Sequence, residues 1–201
     1  MDERKIDDRL NISTIGIREQ TKKVAIHHNR YEATPYAALD KLFENYKINE
    51  HDQLVDFGCG RGRTMFYIHH RFQIPVSGVE ANDKTFDEAL RNLKSYQQVN
   101  SHIEAPINFY YALAEDFEID QEDNLFYFFN PFSVDIFRQV VHNILASVKK
   151  YPRTIEMILY YPLPEYKRFL KNETPFEIIN KINVPGIHGK YGKFIIYRYI
   201  P

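Results

Sequence analysis

Two apolar rhythms alternate along the chain. Residues 1–30 are mixed in charge and show no clear apolar period, which predicts an N-terminal arm or lid. Next, Ala38, Leu39, Leu42, Phe43 and Tyr46 recur at helical spacing and predict a helix with one buried face. Thr34-Pro35 precedes it as a start signal, since a threonine oxygen caps free backbone N–H groups and proline is tolerated in the first turn. The apolar run 53–57 ends at Gly58, Gly60 and Gly62, and Met65, Phe66 and Ile68 then suggest a helix, giving strand, glycine turn, helix. A second strand, 75–80, ends in Glu80, followed by Asn82 and Asp83 as caps of a helix with Phe86, Leu90 and Leu93 on one face. A third strand fits 107–113. A fourth, 125–129, is apolar throughout, as expected for a strand covered on both faces of a parallel sheet. Ser133 stands as the cap of a helix carrying Phe137, Val140, Val141, Ile144, Leu145 and Val148, and a fifth strand at 154–160 precedes a short helix through 164–171. The runs 176–182 and 193–200, separated by a Pro/Gly-rich stretch, have the rhythm of a hairpin. This order predicts an α/β doubly wound, mostly parallel sheet with an antiparallel edge, occupying 31–201. In such sheets ligands bind outside the carboxyl ends of the strands.

Composition narrows the classes. The chain has 201 residues, a size for one domain, and 44% hydrophobic with 26% charged residues is ordinary for a globular protein. No apolar run approaches the roughly 20 residues of a membrane span, and the start MDERKIDDRL lacks the apolar stretch of a signal peptide. The single cysteine, Cys59, forms no internal disulfide and fits a reducing, cytoplasmic location. The net charge of −1 divides unevenly into +2 over residues 1–30, −9 over 31–148 and +6 over 149–201. A chain devoted to duplex nucleic acid is usually basic overall. The basic tail reads first as a solvated face of the terminal hairpin and leaves an anionic partner open.

The turn Asp56-Phe57-Gly58-Cys59-Gly60-Arg61-Gly62 lies where a strand end meets a ligand, and glycines let backbone approach closely. Glu80 lies 18 residues after Gly62 at the end of the next strand, where an acid can accept both hydroxyls of a ribose. A pyrophosphate fingerprint would place its third glycine at position 63, which is Arg63. The G-x-G-x-G spacing after an acid resembles the first motif of class I S-adenosylmethionine-dependent methyltransferases, and the resemblance covers about residues 31–201. It implies a Rossmann-like, seven-stranded sheet and S-adenosylmethionine as cofactor. It further implies that backbone at Gly58, Cys59, Gly60 and Gly62 wraps the methionine part, that Asp56 supports the loop or the amino group, and that Glu80 holds the ribose. The family's Asp-Ala pair after the third strand is replaced by Leu113-Ala114, which leaves the adenine contact to a backbone N–H near Ala114 or Glu115 or to the carboxylate of Glu115 or Asp116; the alternative is that these two are solvated loop acids. Thr34-Pro35, with Tyr31 and Tyr36 beside it, resembles a segment that closes over the methionine end in some amino methyltransferases.

Asn130-Pro131-Phe132, at the end of the fourth strand, resembles the Asn/Asp-Pro-Pro-aromatic motif of amino-methylating members with one proline fewer. That resemblance implies a positioning role for Asn130 and an aromatic contact from Phe132. The plain alternative is a strand terminator that presents Ser133 to the next helix. In-line methyl transfer needs alignment more than acid–base chemistry. No metal site is expected, since His27-His28 and His69-His70 are adjacent rather than at i, i+4. The leading expectation is a methyltransferase acting on a small molecule or an exposed group of protein or nucleic acid. An adenine or glutamine amino methyltransferase and a non-catalytic cofactor-binding protein stand as alternatives.

Overall fold

The computed structural model describes residues 2–16, 32–186 and 192–201. Five parallel strands form first: β1 (Leu54–Phe57), β2 (Val76–Glu80), β3 (Ile107–Tyr111), β4 (Leu125–Phe128) and β5 (Ile155–Tyr160). The hairpin of β6 (Glu177–Asn183) and β7 (Lys193–Tyr199) then folds back, with β7 antiparallel to β5 and β6 at the edge. The sheet order is β3-β2-β1-β4-β5-β7-β6. Chain direction across the sheet reverses between β1 and β4, so the ligand crevice expected of such a sheet lies at their carboxyl ends.

Helices α1 (Glu3–Leu10), α2 (Tyr36–Asn45), α3 (Arg63–Phe72), α4 (Asp83–Asn100), α5 (Val134–Lys150) and α6 (Pro164–Glu173) cover the faces. Side chains of the central strands alternate between two cores. Leu54, Tyr127, Tyr160 and Ile196 join the core under α2 and α3, whereas Val55, Phe57, Phe126, Phe128 and Tyr197 join that under α5 and α6. Both faces of β1 and β4 are buried, which explains their continuous apolar runs.

Several local expectations change. The N-cap position of α2 is Pro35, with no side-chain cap bond, and Thr34 instead pairs its hydroxyl with that of buried Tyr127 at 2.8 Å. Asn82 does cap α4, accepting from Thr85 N–H. The fully buried residues of that helix, however, are Thr85, Ala89, Asn92, Tyr96 and Asn100; of the expected apolar face, Leu93 packs against the core, Phe86 is half-buried and Leu90 is exposed. The reason is hydrogen bonding: Asn92 accepts from Ser13 N–H and donates to the carbonyls of Ser13 and Arg61, so a polar residue is drawn inward. Leu90 is left 40% exposed. Ser133 occupies the N-cap of α5, but its hydroxyl makes no cap bond.

Within the expected arm, residues 3–10 are helical and docked. Ile6 and Leu10 of this helix, with Ile12 just after it, supply its apolar anchorage, and polar groups add to it. Buried Asp7 accepts from the Tyr36 hydroxyl at 2.6 Å and from Thr14 through both backbone and side chain. Burial first, and that carboxylate second, push the Tyr36 hydroxyl well above its ordinary pKa. His27, His28 and Tyr31 lie outside the described residues. Among the described residues no helix is long and apolar enough to cross a membrane.

Candidate active site

The glycine turn is built by close packing. Gly58, with φ of +75°, lies so near Pro131 that a Cβ on it would sit 2.4 Å from the proline Cβ. At Gly62, φ of +88° sets the N-cap of α3, and a Cβ would fall 2.6 Å from the Phe109 ring. These two positions need glycine for conformation and for space. The N–H groups of Gly58 and Cys59 donate to the Val79 carbonyl at 2.9 and 3.1 Å, tying the turn to β2. The Cys59 side chain is turned inward against Gly78, and burial holds its thiol well above the ordinary pKa.

Glu80 closes the turn from the neighbouring strand. Its Oε2 accepts from Gly60 N–H at 3.0 Å and its Oε1 from Asn82 N–H at 2.7 Å. Burial raises the Glu80 pKa against those N–H bonds, which favour the anion. Two of a carboxylate's roughly four lone-pair sites are thus used, and the others can accept from a ligand. Asp56, at the floor of the same end, is 4% exposed. Burial raises its pKa to about 8, with the Glu80 charge as the second cause. Thr34, Asp56, Gly58, Arg63, Tyr127 and Phe129 line a narrow cleft above it.

Across the sheet's reversal point stands Asn130, at φ of +43°. Its Nδ2 donates to the carbonyl of Tyr161, which follows β5 and has φ of +51°. Asparagine tolerates the left-handed region, but a bulky tyrosine there is a true outlier. Such strain persists only where surroundings over-determine it, commonly at functional sites. Tyr161 N–H in turn donates to the Lys193 carbonyl at 3.0 Å, which holds the turn to β7.

Phe132 is not an aromatic wall of this cleft. It is 2% exposed, lies edge-on to Phe128, and its carbonyl accepts from the Tyr166 hydroxyl. The rings that reach the cleft are those of Tyr127 and Phe129, the latter packed against Tyr160 with centroids 4.6 Å apart. Ala114 is buried in a 3-10 turn after β3 (Ala114–Asp116), and one carboxylate oxygen of Glu115, Oε2, is buried with no hydrogen-bond partner. Leu113, at the place of the family's acid, is 45% exposed. The sequence reading brought Thr34, Asp56, Gly58, Glu80 and Asn130 to one end of the sheet and missed Arg63, Tyr127, Phe129 and Tyr161. Arg63 had a legible signal, since it opens the helix directly after Gly62. Its guanidinium donates to Thr14 and Glu3 and lies 4.6 Å from the Tyr36 ring centroid.

Chemically, two buried carboxyl groups beside a glycine turn suit a ligand that carries positive charge and hydroxyls. A pyrophosphate there would meet like charge. Among the described residues no group of three or more His, Cys, Asp or Glu is placed to hold a metal ion.

No family model matches the chain. A curated protein-lysine N-methyltransferase of Saccharolobus islandicus (strain REY15A) is 33% identical over 70 residues, which is 34% of this chain and 44% of the relative. The match thus spans less than half that relative's length. Solved structures cover far more. A candidate RNA methyltransferase from Pyrococcus horikoshii aligns over 98% of this chain and 97% of its own, with a TM-score of 0.57 and 16% identity. Aeropyrum pernix fibrillarin, with natively bound S-adenosyl-L-methionine, aligns over 82% and 73% at TM-score 0.56 and 17% identity. An RNA methyltransferase from Salinibacter ruber, in complex with S-adenosyl-L-homocysteine, gives 84% and 92% at TM-score 0.52 and 15% identity. The fold is that of the class I S-adenosylmethionine-dependent methyltransferases.

Proposed function

We propose that the protein is an S-adenosylmethionine-dependent methyltransferase acting on an amino nitrogen. The observation that carries this reading is the pair of buried acids, Asp56 and Glu80, on either side of a glycine turn that faces the strained Asn130–Tyr161 contact. Bound cofactor supplies an electrophilic methyl group on a sulfonium. Glu80 accepts the ribose hydroxyls while continuing to hold the Gly60 and Asn82 N–H groups. The backbone from Gly58 to Gly62 cradles the methionine part, with Thr34 over it, and Asp56 faces its ammonium. Ala114 and Glu115 border the adenine, where the buried Oε2 of Glu115 suits the exocyclic amine. Asn130 orients the acceptor: with Nδ2 held by Tyr161, the atom it offers an amine N–H is Oδ1, an acceptor and a poor base. Pro131 fixes that turn against Gly58, and Phe129, in the part first given to Phe132, flanks the acceptor. The acceptor nitrogen loses its proton to solvent after transfer, so no strong base is required.

Calorimetric titration with S-adenosylmethionine, S-adenosylhomocysteine and NAD tests the cofactor. The first two are expected to bind, and NAD binding with neither of them would refute the assignment. Glu80→Ala removes charge-assisted hydrogen bonds of about 1.5–3 kcal/mol. That is roughly a 10- to 150-fold loss of affinity, in a variant checked for folding by circular dichroism. Unchanged affinity would dismiss the ribose role.

Asp56 makes cofactor binding pH-dependent. Free, with a pKa of about 8, it is mostly protonated at neutral pH. A cationic ligand beside it favours the carboxylate and lowers that pKa, so binding releases a proton. Affinity is therefore expected to rise with pH toward 8, by at most about tenfold per unit, and then to level off. Asp56→Asn should flatten the profile between pH 6 and 8. A wild-type profile already flat there would refute this role.

A further inference from the structure

The basic charge of the last fifty residues is not spread evenly over the hairpin. Lys167 and Lys171, one turn apart on α6, face Lys181 and Lys193 of the hairpin across an open groove, and Glu177 is the acid among its lining residues. The strand register brings the hairpin pair together: Lys181 lies opposite Ile195 and Asn183 opposite Lys193, so the two lysines share a face. The floor is apolar. Phe176 and Tyr197 are buried beneath it, and Ile178, 47% exposed, is the apolar side chain that reaches the surface. Hydrogen bonds link the groove to the candidate active site: the Lys193 carbonyl accepts from Tyr161 N–H, and the Tyr161 carbonyl accepts from Asn130 Nδ2.

We propose that this groove seats a single strand of RNA, whose phosphates lie between the two lysine rows and whose neighbouring nucleotide reaches Asn130. Three arguments select the occupant. Four ammonium groups against one carboxylate call for a polyanion. A protein partner would need a deep apolar pocket for its anchor residues, and the floor rings are already covered. A rigid duplex is poorly matched to a chain with net charge −9 over residues 31–148, whereas a flexible strand can follow one groove. Unpaired strands with accessible base edges are the common state of RNA loops and ends. The inference rests on the methyltransferase reading for what the bound strand is for, but not for the binding itself.

The test is fluorescence anisotropy of a short labelled single-stranded RNA with the full chain. Lys171→Glu with Lys181→Glu, both exposed and remote from the glycine turn, form the variant. Wild type should bind with a logarithmic salt slope of about −3, the value for four neutralised phosphates on a single strand. The variant should lose at least about tenfold in affinity and roughly half the slope. S-adenosylmethionine affinity, measured on the same samples, should be unchanged. Absent RNA binding in a chain that binds the cofactor overturns the groove alone, and absent cofactor binding overturns the enzyme reading instead. RNA affinity untouched by the charge reversals would also overturn the groove. So would equal competition by poly-glutamate, which would point to an acidic protein, or tighter binding of single-stranded DNA of the same sequence.

Discussion

Gly58→Val is expected to abolish cofactor binding in a protein that still folds. A valine there is strained twice, because φ of +75° is unfavourable to any L side chain and the new Cβ would lie 2.4 Å from the Pro131 Cβ. The left-handed conformation costs roughly 1–2 kcal/mol. Overpacking adds about 1–3 kcal/mol. The sum, about 2–5 kcal/mol, is below or at the edge of the typical domain stability of about 5–15 kcal/mol. For a chain of this length it lowers Tm by about 4–20 °C. The turn then has to move off Pro131, and its N–H groups leave the Val79 carbonyl and the Glu80 carboxylate that position them. Cofactor affinity should fall at least 100-fold, on the scale of several lost hydrogen bonds to backbone and charge. Circular dichroism with a melting curve separates folding from binding, and Gly58→Ala gives a milder version of the same strain. Folded Gly58→Val with wild-type affinity would show that the turn does not touch the cofactor.

What the sequence made legible was whatever depends on backbone and on continuous apolar pattern. β1 and β4 are covered on both faces, so Leu54–Phe57 and Leu125–Phe128 read as unbroken apolar runs. The glycine turn and Glu80 could be placed because spacing along a strand–turn–helix unit maps directly onto space. The hairpin at the antiparallel edge was legible from two short β-rich runs separated by a Pro/Gly-rich stretch, although β7 is buried along most of its length and β6 is irregular. Features set by tertiary partners were not. The buried face of α4 is partly polar, with Asn92 drawn in by Ser13 and Arg61, and an apolar period cannot register it. Helix α1 has two apolar anchors, and its docking also draws on Asp7 meeting Tyr36 and Thr14. Phe129 and Phe132 are alike in sequence terms. Phe129 continues the face of Tyr127 at the end of β4, whereas Phe132, beyond the turn at Asn130, packs on Phe128 in the opposite core.

Asn130→Ala is expected to leave cofactor affinity within about threefold and to lower turnover by roughly 100-fold, the scale on which a misplaced reacting group costs rate. Asn130 sits at the end of β4, beside β1 and across the crevice from Glu80, so an acceptor held there approaches from the side opposite the ribose. Its amide is rigidly aimed, because Nδ2 is bonded to the Tyr161 carbonyl and both residues are locked at positive φ. Alanine removes that aim without touching Asp56, Gly60 or Glu80. Asn130→Asp separates aim from size: it keeps the volume and the tolerance of the left-handed region, yet has no N–H to donate to Tyr161, so its turnover should also fall. Acceptor is found first by tritiated methyl transfer from wild type into cell extract, followed by rate measurement on the labelled fraction. Full turnover in Asn130→Ala would reduce Asn130-Pro131 to a strand terminator. Wild type that binds S-adenosylmethionine tightly but labels nothing would favour a binding protein over an enzyme, and the strained contact with Tyr161 would then be a feature of the fold without a role in transfer.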